Sequence, residues 1–317
     1  MIRIKIPATS ANLGPGFDSI GVALSLYNYV EIETGSPDGR PLTIRAKPRA
    51  PGNETLSWYR EPVAGVPTDE SNLIYKSISY FYRLAGEPIP PFTITQEDYI
   101  PMDRGLGSSA ACVTAGLLAA NHFTGRNMPL EKLIDIAARI EGHPDNTTPA
   151  LAGGMTVGVM TDNGLVYSKV EGPWVTGLKF AVFIPTFKLA TKKARAVLPP
   201  QYARRDLIFN ASRAALLVAA LTTGDFEKLS AALEDRVHQP FRQDLVPGMA
   251  EIMREAPAYG AYNVVLSGAG PSLLAMTADG DFVKKIKPFT EQLPHRWDVG
   301  WITPDTRGAA LEIPKQL

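Results

Sequence analysis

The sequence predicts an α+β fold divided into two domains. Three observations carry this. Strand-like and helix-like segments are mixed along the chain without regular alternation. The chain has 317 residues, enough to bury more than one core. A glycine- and serine-rich loop, PMDRGLGSSAA at 101–111, stands between a strand and an alanine-rich helix in the first half, which marks that half as a ligand-binding unit.

The elements follow in order. Residues 2–6 alternate as a strand does, and 30–33 with 42–45 add sheet. Residues 48–67 make a Pro- and Gly-bearing loop holding Trp58 and Tyr59, read as loop packing or a flap over a site. Residues 72–83 read as a helix with Leu73, Ile74, Ile78 and Phe81 on one face. A strand at 92–95 leads toward the glycine loop, and a helix over 109–121 follows it. The alanines of that helix and Gly116 imply close packing against the sheet. Leu133, Ile134, Ala137 and Ile140 give a helix over 130–140 its buried side. Segments 155–160 and 165–169 flank Asp162-Asn163-Gly164 as a hairpin. The second half starts with a buried strand at 178–184. Helices at 207–221 and 226–236 come next, then strand, glycine turn and strand over 263–277, then a helix over 282–292. No internal repeat or low-complexity segment occurs.

Composition narrows the function. Lys plus Arg and Asp plus Glu are 32 each, so nothing in the charge balance points to nucleic acid. The single cysteine, Cys112, lies in the alanine-rich helix as small core filler and excludes an internal disulfide, which suits a cytoplasmic protein. The N-terminus carries no signal-peptide pattern. The apolar stretches at 110–120 and 214–221 are too short to span a bilayer, so no membrane association is expected.

The chemistry starts in the loop. Gly105 and Gly107 let the backbone approach a ligand closely. The helix start adds unpaired N–H groups and a positive dipole end. Together they make an anion site suited to a nucleotide phosphate, and the Ser108 and Ser109 hydroxyls can add hydrogen bonds or reach Mg²⁺. A glycine turn capped by Ser108 or Ser109 is the purely structural alternative. No Gly-Lys pair exists for a Walker loop, and the protein-kinase signatures are missing. Gly105, Gly107 and Ala110 match a loose dinucleotide pattern, but that pattern needs a strand directly before it.

The loop resembles the phosphate loop of the small-molecule kinases named for galactose, homoserine, mevalonate and phosphomevalonate. PATSANLGPGFD at 7–18, EGHPDN at 141–146 and LSGAGPS at 266–272 resemble the homoserine kinase branch of that family, in the family's order and over most of the chain. The resemblance implies the family's two-domain fold. Residues 1–168 would be an N-terminal mixed α/β, ATP-binding domain with the phosphate-binding loop. Residues 169–317 would be a C-terminal ferredoxin-like α/β sandwich, with the site in the cleft between them. It implies phosphorylation of L-homoserine to O-phospho-L-homoserine, with ATP as co-substrate and Mg²⁺. L-Threonine is the expected feedback inhibitor, and a homodimer is the expected assembly.

Carried over residue by residue, ATP would be held by Asn72, Pro101, Arg104, Gly105, Leu106, Gly107, Ser108, Ser109, Ala110 and Ala111. The metal would be held by Ser109 and Glu141. The substrate would be held by Asn12, Asp18, His143, Asp145, Thr191, Arg195 and Arg242. Two arginines and two aspartates suit a zwitterion, with Arg195 and Arg242 on its carboxylate and Asp18 at its polar end. Asn146 stands where mevalonate kinases carry an aspartate base, and residues 8–11 (ATSA) stand where they carry a lysine. No side-chain base is therefore expected, and Asn146 would orient the reacting groups.

Taken singly, each residue has a structural reading. Asn72 and Asp18 could cap helices, Glu141 could be a solvated helix-end carboxylate, His143 could be a turn residue, and the arginines could be surface charges. Asp103 would place a negative charge near phosphate unless Arg104 offsets it. The rivals are a sister kinase for another small alcohol and a non-catalytic ligand sensor on the same fold.

Overall fold

The computed structural model describes residues 1–35, 39–47 and 65–314. Most of the 48–67 loop, including Trp58 and Tyr59, lies outside the described residues.

The first half is built on a seven-stranded sheet, β1 (Ile2–Ala11), β2 (Ile20–Thr34), β3 (Leu42–Ala46), β4 (Phe92–Glu97), β5 (Met155–Thr161), β6 (Gly164–Lys169) and the late β11 (Ala310–Glu312). The order is β11-β1-β2-β4-β3, and β5 pairs with β2 and β6. Only β3 and β4 pair in parallel. One side of this sheet is covered by α1 (Leu73–Ala85), α2 (Ser108–Phe123), α3 (Leu130–Glu141) and α4 (Thr147–Ala152). α1 buries Ile74, Ile78 and Phe81, and α3 buries Leu133, Ile134 and Ala137, as their periodicity requires. β1 runs five residues past its expected end, because the small residues at 7–11 are buried on both sides and lose alternation. Gly116 faces α1 rather than the sheet: a Cβ there would lie 2.5 Å from the Ile74 carbonyl oxygen.

The second half contains β7 (Lys179–Pro185), β8 (Ala261–Leu266), β9 (Leu273–Thr277) and β10 (Trp297–Ile302) in an antiparallel sheet ordered β10-β7-β9-β8. Numbered within this half, that is strand order 4-1-3-2, the ferredoxin-like arrangement. Its helices are α5 (Trp174–Gly177), α6 (Thr191–Ala196), α7 (Arg204–Thr223), α8 (Leu229–Ala232), α9 (Gln239–Arg242), α10 (Met249–Glu255) and α11 (Phe282–Thr290). β7 alternates between two cores: Phe180, Val182 and Ile184 join the core shared with the first half, and Ala181 and Phe183 join a second core with Phe282 and Ile286.

The structure departs from expectation in three further respects. The helix expected over 226–236 ends at Ala232. There the Asp235 carboxylate accepts the N–H groups of Val237, His238 and Gln239 at 2.9, 2.9 and 2.7 Å, which starts a new turn instead of continuing the old one. β10 and β11 were not anticipated. By length and composition alone α7 could cross a bilayer, so the apolar-stretch argument is weaker than expected. Within this fold Leu217, Ala220 and Leu221 of α7 are buried, and its Arg213 pairs with Glu234 at 2.6 Å.

Candidate active site

A cleft of about 320 Å³ opens where the two halves meet. One side of it is the loop 101–107, and the other is formed by the turn after β1, the 141–146 segment, α6, α9 and the turn at 268–269.

The loop is fixed by close approaches that only glycine permits. Gly105 has φ +72°, and a Cβ would stand 2.2 Å from the Ser267 carbonyl oxygen. Gly107 has φ +74°, and its Cβ would stand 2.0 Å from Thr9 Oγ1. The loop is tied from both sides: Thr9 N–H donates to Leu106 O (3.1 Å), Ser267 Oγ to Gly105 O (2.6 Å), and Ser272 N–H to Arg104 O (3.2 Å). α2 begins at Ser108 with Gly107 as its N-cap, and no side chain caps it. The serine-capped turn is therefore not what forms. The first turn of a long helix is presented to the cleft, as an anion site requires.

Pro101 and residues 104–110 line the cleft; Ala111 is buried behind them and does not. The Arg104 side chain is directed to the end of β7, where Nε and Nη2 donate to the carbonyls of Pro185 and Thr186 (2.9 and 2.7 Å). Arg104 also lines the cleft. Asn72 caps α1, with Oδ1 accepting from Ile74 N–H (2.9 Å) and Nδ2 donating to Pro67 O and Gln96 Oε1 (2.9 and 2.6 Å). The N-cap reading holds; Asn72 also lines the cleft, with its amide already engaged.

Ser109 and Glu141 come together: Ser109 Oγ donates to Glu141 Oε1 at 2.5 Å. Two hard oxygen donors at the cleft edge fit Mg²⁺, which takes few protein ligands and completes its shell with phosphate and water.

The acceptor side gathers Asn12, Asp18, His143, Asp145, Asn146, Thr191, Arg195 and Arg242 around the same cleft. Asn12 and Asp18 sit on a left-handed turn after β1 (φ +68° and +53°). Asn12 Oδ1 accepts from Asp18 N–H (2.9 Å), and Asn12 Nδ2 donates to Gly268 O (2.7 Å). Asp18 caps no helix; it makes a two-point pair with Arg195, Nη2 to Oδ1 at 2.8 Å and Nη1 to Oδ2 at 3.1 Å. That hydrogen bond raises the Arg195 pKa against the effect of burial. His143 Nδ1 donates to Asp145 Oδ1 at 2.6 Å. Burial alone would depress His143, but the bond to Asp145 and the charges of Asp145 and Asp18 outweigh it and hold the pKa above its ordinary value.

Arg242 differs from Arg195. It is fully buried and pairs with no carboxylate among the described residues. Its Nε donates to Ala194 O (3.1 Å), and Nη1 reaches Gly268 O and His238 Nδ1 (both 3.1 Å). Burial, then the charge of Arg195, push its pKa down to about 10. A buried cation held by neutral groups is arranged to receive an anion.

Sequence reasoning missed the frame behind it. An arginine only donates, so His238 Nδ1 accepts, and Nε2–H donates to Gly14 O (2.8 Å). His238 stacks on Phe17 at 5.3 Å and follows the Asp235 turn. The spacing of Asp235, His238 and Arg242 was the available signal. On the nucleotide side, Gln96, Asp98 and Cys112 also line the cleft. Cys112 has its thiol pKa raised by burial and is therefore not a reactive thiolate.

Comparison with known proteins bears on this arrangement. Residues 72–154 match the model of the GHMP kinases N-terminal domain, and residues 217–288 match that of the GHMP kinases C-terminal. A homoserine kinase of Caldicellulosiruptor saccharolyticus is 40% identical over 98% of this chain and 96% of its own length. The chain belongs to the GHMP kinase family. A second homoserine kinase, from Synechocystis sp., is 44% identical over 86% of this chain and 85% of its own. The crystal structure of homoserine kinase from Cytophaga hutchinsonii superposes with a TM-score of 0.81 at 26% identity, covering 98% of this chain and 96% of that one. The expected α+β two-domain GHMP kinase fold is therefore what the chain adopts.

Proposed function

We propose that this GHMP kinase is an ATP-dependent homoserine kinase that transfers the γ-phosphoryl group of ATP to L-homoserine, giving O-phospho-L-homoserine and ADP. The carrying observation is that one cleft joins an uncapped, glycine-fixed helix start to a pocket holding two arginines, two aspartates and a histidine. The first suits a polyphosphate and the second a small zwitterion. The names of the relatives agree with this.

ATP would lie along the loop; Ser109 and Glu141 would hold Mg²⁺, which when bound would supply positive charge opposite the phosphates. The homoserine carboxylate meets Arg242 Nη2 and the free N–H groups of Arg195, while Asp18, Asp145 and Thr191 hold the polar end. The acceptor oxygen bonds to the γ-phosphorus, the bond to the bridging oxygen breaks with its electron pair on ADP, and the hydroxyl proton passes to a phosphoryl oxygen. Asn146 orients the reacting oxygens. No side-chain base is invoked, because Asn146 stands at the expected position of the base and an amide takes no proton. Catalysis then rests on positioning and fixed dipoles.

L-Threonine, an isomer of homoserine, fits the same charged groups and competes for them. The same reading divides the chain into an ATP-binding domain (1–168) and a second domain (169–317), supported by the change of sheet between β6 and β7. It places the protein in the cytoplasm as a homodimer that binds neither membrane nor nucleic acid.

The test is ADP release with ATP and Mg²⁺ across L-homoserine, mevalonate, shikimate and galactose. Turnover on L-homoserine alone is expected. Turnover on another alcohol keeps the kinase and overturns the substrate, and binding of ATP without turnover on any acceptor favours the sensor.

A further inference from the structure

We propose that Thr9 is the positioning residue for Asn146, its hydroxyl fixing the amide so that Nδ2 faces the reacting oxygens. This rests on the homoserine kinase reading and deepens it. Thr9 lies on β1 and is completely buried. Its Oγ1 donates to Asn146 Oδ1 at 2.8 Å, across 137 residues of sequence.

Two constraints fix Thr9. Its N–H donates to Leu106 O (3.1 Å), which ties it to the phosphate loop. Its hydroxyl also occupies the notch left by the missing side chain of Gly107, where a Cβ would stand 2.0 Å away. One residue thus measures the distance between the loop that carries the phosphates and the side chain proposed to act on them.

The bond also sets which end of the amide faces the cleft. Asn146 Oδ1 is the one acceptor for the Thr9 hydroxyl among the described residues. Turning the amide over would leave that buried hydroxyl proton without an acceptor, a desolvation cost without compensation. Oδ1 therefore points inward, and Nδ2 presents two donors to the cleft that Asn146 lines. An amide held this way donates to oxygen and takes no proton. It can stabilise charge on the acceptor oxygen or on the transferred group. The resemblance places the lysine of mevalonate kinases within residues 8–11 and their aspartate base at Asn146. Here a buried hydroxyl and an amide take those places.

The test is steady-state kinetics of Thr9→Val, Thr9→Ser, Asn146→Ala and the Thr9→Val/Asn146→Ala pair, with L-homoserine and MgATP. Thr9→Val is expected to lower kcat about 10- to 100-fold with KM for ATP unchanged. Thr9→Ser should keep most of the rate. Thr9→Val should add less than about twofold to Asn146→Ala, because a residue acting through another has nothing left to act on. Equal rates for Thr9→Val and the parent overturn the proposal. So do losses that multiply in the double variant, or a loss that appears in KM for ATP alone. Thr9→Ala carries the same comparison should Thr9→Val not fold. A parent protein that turns over L-homoserine at the same rate as Thr9→Val overturns the positioning alone, and a parent inactive on every acceptor overturns the functional reading with it.

Discussion

The two sides of the cleft are built from different materials. The phosphate side is main chain, with glycines pressed against Thr9 and Ser267 and a helix start without a side-chain cap. The acceptor side is charged side chains, from both halves of the molecule, held by one another. A backbone site recognises its ligand by shape and fixed dipoles, and it fails when something larger intrudes. A side-chain site recognises charge, and it fails when a charge is removed. Substitutions should therefore separate the two sides by kind as well as by size.

Gly105→Ala should be the most damaging. The left-handed backbone alone costs about 1–2 kcal/mol with a Cβ, and the new atom would collide with the carbonyls of Ser267 and Gly270. ATP binding measured by calorimetry should be lost, and the melting temperature should fall by several degrees. A rise in homoserine KM with ATP binding intact would break the division. Arg242→Leu comes next, with homoserine KM rising about 100-fold, in line with about 2–5 kcal/mol for truncating a buried charge partner. ATP affinity should not move, and Arg242→Lys should not restore KM, since an ammonium cannot reproduce three fixed directions.

Smaller still, Glu141→Gln should raise the Mg²⁺ needed for half-maximal rate about tenfold, with homoserine KM unchanged. The smallest effect concerns His143. Its folded pKa is raised, so its pairing with Asp145 contributes stability that is complete below the unfolded value of about 6.5 and is lost as pH rises through the folded one. His143→Gln should flatten melting temperature against pH in that window; a parent curve already flat there would remove the pairing from the acceptor side's account.

How much of this could be read in advance follows the same division. The place of the loop was legible because glycines and serines gather before an alanine-rich helix, but its choice between an anion site and a serine-capped turn was not, since only the fold shows that no side chain caps α2. α1 and α3 were legible because their buried faces recur at helical spacing. The helix over 226–236 was misread because periodicity cannot show that the Asp235 side chain takes three backbone N–H groups for itself. The anchoring of the Arg104 side chain was not legible, because only the fold shows that the end of β7 offers it two carbonyls. Asp18 and Arg195 were each ambiguous alone, and their pairing joins residues 177 apart in sequence. Thr9 left no local signal, since its partner lies 137 residues away.

Those separations bear on how the enzyme is born. The floor of the phosphate loop is Ser267, 162 residues after Gly105, and Asn12 is held by Gly268, 256 residues later. Contacts of such long range form late, because the chain must close large loops before they reward it. On the ribosome, the first half can gather its helices over the sheet before Ser267 and Gly268 emerge, so the loop at 101–107 is braced only after most of the chain has been made.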